Sequence, residues 1–233
     1  MRPWAASLAL ALAGCSAVEV DLNQIPWAGL SERARERIEF VLADVAAVVP
    51  LDGAVVKSRL KVYDFLLSEM PFTGGVVREL GRGDWDIFRD PERPEPHVFF
   101  VVDPSGMRLR WERVHVEGDR RFYVARGTFD MGVLPKLTGS TLVILKASEG
   151  EEGVKTDAVV YVRVETPFYA GLAKGTRGMV ESQVRERASY FIRAARWVAE
   201  EAAARPDWLY AQVDGSKHVD QAVLEKFRAV LVR

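Results

Sequence analysis

Most of the features that would identify this chain at a glance are missing from it. Its 233 residues include one cysteine, Cys15, so no disulfide can close within the chain. The three histidines, His97, His115 and His218, are scattered, and none has a partner at metal-ligand spacing, so no metal site is expected. Lys and Arg number 32 against 33 Asp and Glu, and so even a balance supplies no basic bias of the kind that nucleic acid recruits. No apolar run reaches the roughly 20 residues that a membrane-crossing helix needs. There is no Gly-x-Ser-x-Gly elbow, phosphate loop or dinucleotide glycine pattern, and no internal repeat. No catalytic residue can be nominated on these grounds, no cofactor is expected, and enzymatic activity is the less favoured class.

What is present begins at the first residues. Arg2 is a single positive charge, Trp4 to Ala13 form a short apolar stretch, and small residues precede Cys15. A positive end, an apolar run of about 7–15 residues and a small-residue cleavage site make an export signal. Residues 1–14 are therefore expected to be removed. Leu12-Ala13-Gly14-Cys15 resembles the lipobox of bacterial lipoproteins, which implies that the Cys15 thiol is acylated and becomes the new N-terminus. Ser16, a non-Asp residue after the cysteine, implies the periplasmic face of the outer membrane in a Gram-negative cell. Acylation also gives an odd cysteine in an exported chain its reason. Several acyl chains would anchor firmly, since each buried CH2 contributes about 0.8 kcal/mol and one chain alone is marginal. The competing account is a buried N-terminal helix with an ordinary packed cysteine.

Residues 15–30, with Pro26, read as a tether, and residues 31–233 as a single domain. The 48% hydrophobic content is ample for a sizeable core. Ser31 caps a helix expected to run to about Val48, with Ile38, Val41, Leu42, Val45 and Val49 at helical spacing. A short strand from Ala54 to Lys57 follows. A second helix, capped by Ser58, is expected to reach Glu69 and to stop at Pro71. A third spans Thr73 to Leu80.

Six strands are expected next, over 85–88, 97–102, 107–116, 120–129, 140–147 and 157–165. Their short turn-type links imply antiparallel hairpins. Val180, Val184, Ala188, Phe191, Ala195, Val198 and Ala202 then form one apolar stripe on a helix from about Thr176 to Ala204. At 1.5 Å per residue that helix is about 43 Å long, enough to cross a sheet. Pro206 ends it, and a small helix over about 219–230 closes the chain.

This order of elements, with Val62-Tyr63-Asp64-Phe65-Leu66-Leu67 after the opening strand, the Arg120-to-Gly127 strand and the Gly178-to-Val198 helix, resembles the START-like, helix-grip (SRPBCC) superfamily. The resemblance covers about residues 54–204. It implies an α+β fold in which a curved antiparallel sheet wraps around a long C-terminal helix, with extra helices at both ends. It also implies a cavity between sheet and helix, but no shared catalytic motif.

Alternation along one strand puts Met107, Leu109, Trp111, Arg113 and His115 on one face, expected to look toward the long helix. Leu109, Trp111, Arg113, His115, Phe122, Val124, Tyr161 and Phe191 are the candidate cavity lining, with Arg113, His115 and Tyr161 as polar contacts. The plainer account is that the aromatics fill a core and the polar residues lie at the rim. Arg108, Arg110, Arg113, Arg120, Arg121 and Arg126 form either a basic patch for lipid headgroups or a solvated face beside Glu112, Glu117 and Asp119.

The leading expectation is a membrane-anchored domain that binds or transfers a lipid or other apolar small molecule. The alternatives are an envelope scaffold with a filled core and an enzyme of the cyclase or hydrolase kind.

Overall fold

A computed structural model describes residues 21–90, 92, 95, 97–129, 137–166 and 177–232. The expected signal segment, residues 1–14, and Cys15 lie outside the described residues. Two short 3-10 turns, Leu22–Gln24 and Trp27–Gly29, lead into helix α1, Glu32–Leu42. As expected, Ser31 caps α1, its Oγ accepting a hydrogen bond from the Ala34 N–H at 3.2 Å.

The first helix is shorter than its spacing suggested. Strand β1 already occupies Ala47–Val56, so Val48 and Val49 are extended, and the strand is longer than the Ala54–Lys57 expectation. Apolar residues at 45, 48 and 49 fit either period; pairing with an open sheet edge decides for the strand. Helices α2, Leu60–Ser68, and α3, Met70–Glu79, follow. Helix α2 ends at Ser68, ahead of Pro71 as expected, and Pro71 itself sits in the first turn of α3, where its missing N–H costs nothing.

Six further strands come next: β2, Asp86–Arg89; β3, Val98–Val102; β4, Arg108–Glu117; β5, Arg120–Phe129; β6, Leu137–Gly150; and β7, Gly153–Val164. Helix α4, Arg177–Ala204, is the long one, at 28 residues. Pro206 ends it but also opens a helix that the sequence did not suggest, α5, Pro206–Val213. Helix α6, Gln221–Val232, closes the described chain.

All seven strands form one antiparallel sheet in the order β1-β7-β6-β5-β4-β3-β2. The tight β4–β5 hairpin depends on Gly118, whose φ of 58° lies in the left-handed region that side-chain-bearing residues avoid. One face of the sheet packs on α2, α3 and α4. Its core includes Leu109, Trp111, Tyr123, Val143, Val160 and Val162 from the sheet and Phe191, Ala195, Val198 and Ala202 from α4. The stripe expected on that helix is therefore the buried one; the side chain of Val180 is outside the described set.

The opposite face is covered as well. Ile38 and Val41 of α1, with Ile25, bury against Phe122, Val124, Leu142, Ile144 and Tyr161. Each fully buried aliphatic or aromatic side chain contributes about 1.5–3 kcal/mol, so α1 is firmly seated. An ion cluster adds direction. Glu112, only 8% exposed, meets Arg33 at 3.3 Å, Arg110 at 2.9 Å and Arg37. This is the helix-grip arrangement: an antiparallel sheet closed over a long helix, with extra helices at both ends. Among the described residues no helix is long and apolar enough to cross a membrane.

Candidate ligand-binding site

The sheet and α4 enclose an apolar cavity of about 60 Å³. Met107 just before β4, Leu109 and Trp111 of β4, Thr141 and Val143 of β6, and Val160 and Val162 of β7 form its floor. Val184, Ala188 and Phe191 of α4 form its roof, with Gln183 and Arg187 at the side. The row Trp111–Ala125–Thr141–Val162–Ala47 runs across five paired strands, so sheet register alone puts these residues on one face. A second chamber of about 30 Å³ lies behind Trp111 and Phe191, bounded also by Leu67, Met70, Phe99 and Tyr123. Trp111, Val143, Ala188 and Phe191 border both chambers.

Phe191 is the partition. Its ring lies 4.6 Å from that of Trp111 and edge-on to Trp85 at 5.6 Å, within the range of favourable aromatic pairing. The roof is pinned beside the larger chamber by Arg187. Its Nε stands 3.5 Å from Oδ2 of buried Asp103, and its Nη2 donates to the Ser105 Oγ at 3.2 Å. Asp103 is itself held in the turn before β4, its Oδ1 accepting from Ser105 Oγ and Met107 N–H.

The expected lining divides in two. Leu109, Trp111 and Phe191 border the cavity. Arg113 points to the same face but lies at the α2 end, where its Nη1 donates to Ser68 Oγ at 2.6 Å and its Nη2 meets His97 Nδ1 at 2.8 Å. The inward direction expected of His115, Phe122, Val124 and Tyr161 is corrected by the structure: all four face α1 or the segment before it. For His115 the cause is a β-bulge between Arg113 and His115, which leaves Val114 without a cross-strand partner. One extra residue reverses the side on which every later side chain emerges. His115 consequently lies beside Phe122, with ring centroids 5.7 Å apart, and near Gly29. For β5 and β7 the cause is that both faces are buried, so hydrophobicity marks neither as inner.

Tyr123, Val143, Val160, Val162 and Ala188 are cavity residues that the candidate set lacked. The pairing of Tyr123 with Arg113 fixes its face. Burial pushes the Tyr123 phenol up to about 12, with the neighbouring charges of Arg113 and Arg121 drawing it partly back. It remains neutral throughout the physiological range.

Most of the arginine cluster is neutralised. Arg110 pairs with Glu112, Arg120 with Glu117, Arg121 with Asp64 and Arg126 with Glu165. A patch paired in this way is a poor general magnet for anionic headgroups. Among the described residues no group of three His, Cys, Asp or Glu side chains is placed to hold a metal ion.

No family model matches the chain, and no curated protein does. Similar solved structures include the di-domain ARO/CYC StfQ from the steffimycin biosynthetic pathway, at 20% identity and a TM-score of 0.41 over 74% of this chain and 56% of that one. Ara h 8.0201 is 12% identical with a TM-score of 0.44, over 66% of this chain and 98% of that one. The di-domain ARO/CYC BexL from the BE-7585A biosynthetic pathway is 19% identical with a TM-score of 0.41, over 70% of this chain and 52% of that one. The chain thus spans about half the length of the two di-domain proteins. At such overlap the helix-grip assignment rests on the strand order and the position of α4, and these likenesses carry nothing about activity.

Proposed function

We propose that this protein binds, and passes on, a lipid or other apolar small molecule while held on a membrane through acylated Cys15. The observation that carries the binding half is the apolar cavity between the sheet and α4, bordered by Leu109, Trp111, Val160, Val162, Ala188 and Phe191. Apolar walls with a few polar groups at one end are the usual make-up of a ligand site. At about 60 Å³ the chamber has room for more than one water-sized group, each needing about 10–15 Å³ on this measure. A larger ligand needs more room than this, and the Arg187–Asp103 contact ties α4 to the turn before β4 beside the chamber.

The anchoring half rests on the apolar run and Leu12-Ala13-Gly14-Cys15. It places the domain in the cell envelope, on the periplasmic face of the outer membrane in a Gram-negative cell. Residues 15–30 would then keep it close to the bilayer. Radiolabelled palmitate supplied to expressing cells should enter the wild-type chain and not the Cys15→Ser variant; equal labelling of the two would refute acylation at this cysteine.

Binding is tested with the full-length Cys15→Ser chain by native mass spectrometry of protein purified from cells. An organic-extractable adduct is expected, and a chain that neither retains nor takes up any apolar compound would refute the reading. That second outcome would favour an envelope scaffold with a filled interior. The modest volume and the aromatic packing of Phe99, Trp111 and Phe191 are the observations on that side.

A further inference from the structure

We infer that the chambers beneath α4 hold the bare hydrocarbon end of a chain-like ligand, methyl first, and keep every oxygen and nitrogen of that ligand outside. This rests on the apolar-ligand reading above and specifies which part of the ligand is buried.

The direction of the charges is the first observation. Among the described residues that border the larger chamber, only Arg163 and Arg187 are charged, and both turn their guanidinium groups away from it. Arg163 donates through Nη1 to the Phe40 carbonyl and lies over the Phe40 ring at 4.0 Å, on the α1 side of the sheet. Arg187 is turned to Asp103 and Ser105. No charged residue among those described borders the second chamber. The phenol of Tyr123, at its edge, is hydrogen-bonded by Arg113. The indole nitrogen of Trp111 is buried among the surrounding side chains rather than open to either space.

What faces the larger chamber is therefore hydrocarbon and thioether, from Met107, Leu109, Val143, Val160, Val162 and Phe191. Thr141 carries the one hydroxyl on its floor. A ligand oxygen drawn in here would leave its water partners without replacement, a loss that outweighs what a buried methylene gains.

Size is the second observation. The chambers measure about 60 and 30 Å³, and a water-sized group needs about 10–15 Å³ on this measure. They take a few carbon atoms of a chain, not a fused ring system or a whole amphiphile. The remainder of the ligand has one route suited to it. Leu137 and Val164, at the ends of β6 and β7, face Gln183 and Val184 of α4 across the rim of the larger chamber, and both α4 residues are only half-buried. A polar head resting there keeps its contact with water while the chain end enters.

The test uses the full-length Cys15→Ser chain and two isomers, nonane-1,2-diol and nonane-1,9-diol. They share one composition, but only the first has an end free of oxygen. Titration calorimetry should find the 1,2-isomer tighter by about tenfold or more, the cost of burying an unmet hydroxyl. With the terminal methyl of the 1,2-isomer labelled with carbon-13, nuclear Overhauser contacts should run from that methyl to the side-chain methyls of Val160 and Ala188. Thr141→Val should change the affinity of the 1,2-isomer by no more than about twofold, because no ligand hydroxyl reaches the floor.

Equal affinity for the two isomers overturns the inference, as does a labelled methyl that contacts neither Val160 nor Ala188. A tenfold loss in Thr141→Val does the same, since it would place a ligand oxygen inside. Those outcomes leave the apolar-ligand reading standing. If neither isomer binds up to its solubility limit, both readings fall together. If Thr141→Val does not fold, the isomer pair and the methyl contacts of the parent chain decide alone.

Discussion

Replacing Phe191 with alanine converts the two chambers beneath α4 into one. The phenyl ring is 7% exposed, packs on Trp111, Trp85 and Tyr190, and borders both voids. Truncating a buried phenylalanine costs about 3–5 kcal/mol, of which part is the cavity left behind. Here the ring already faces voids on two sides, so fewer contacts are lost, and the expected cost sits at the low end, about 3 kcal/mol. The same change makes room for a ligand. An apolar probe present at 100 times its dissociation constant restores about 2.7 kcal/mol through mass action. Urea unfolding followed by tryptophan fluorescence, with and without α-methylstyrene, reads both numbers. A loss below about 1 kcal/mol, which is no more than an average substitution costs, would refute the partition role. A probe-dependent gain no larger than the parent's would refute the joining of the chambers.

Glu112→Gln removes the carboxylate that Arg33, Arg37 and Arg110 share beneath α1. Removing one partner of a fully buried pair costs about 3–5 kcal/mol; the three arginines are 27–50% exposed, so solvent screening reduces this to about 1–2 kcal/mol. Chemical denaturation measures it, and an unchanged midpoint would show that apolar packing alone seats α1. His97 has its pKa lowered from 6.5 by burial first, and then by the charges of Arg113 and Arg89. The unfolded chain therefore binds more protons than the folded one in the window below 6.5. Stability should be fully present above that window and decline as the pH falls through it. Thermal melts across pH 5 to 7.5 would show a shallower decline in His97→Gln; an identical profile would exclude His97 as a contributor.

The elements themselves were largely legible in the sequence. Short turn-type links between β-rich segments announced hairpins, and the stripe from Val184 to Ala202 fixed both the extent of α4 and its buried side. What escaped was decided by contacts far along the chain. Val48 and Val49 suit a helix and a strand equally, and only the free edge of β7, over a hundred residues later, makes them a strand. Phe122 against Tyr123, and Tyr161 against Val160, could not be sorted into inner and outer because α1 gives the outer face a core of its own. Leu109, Trp111 and Phe191 were found because their faces follow from one unbroken alternation or one helical stripe. His115 was misplaced because nothing around Val114 in the sequence marks a bulge.

That single unpaired residue divides β4 in terms of consequence. Upstream of Val114, a substitution at Leu109 or Trp111 alters what the interior chamber admits; downstream, a substitution at His115 alters how the segment before α1 lies on the outside of the sheet. One continuous strand thus answers to two separate compartments. The wall of the chamber can be remodelled without loosening the segment before α1 that lies beside His115, and that outer side can drift without reshaping the chamber.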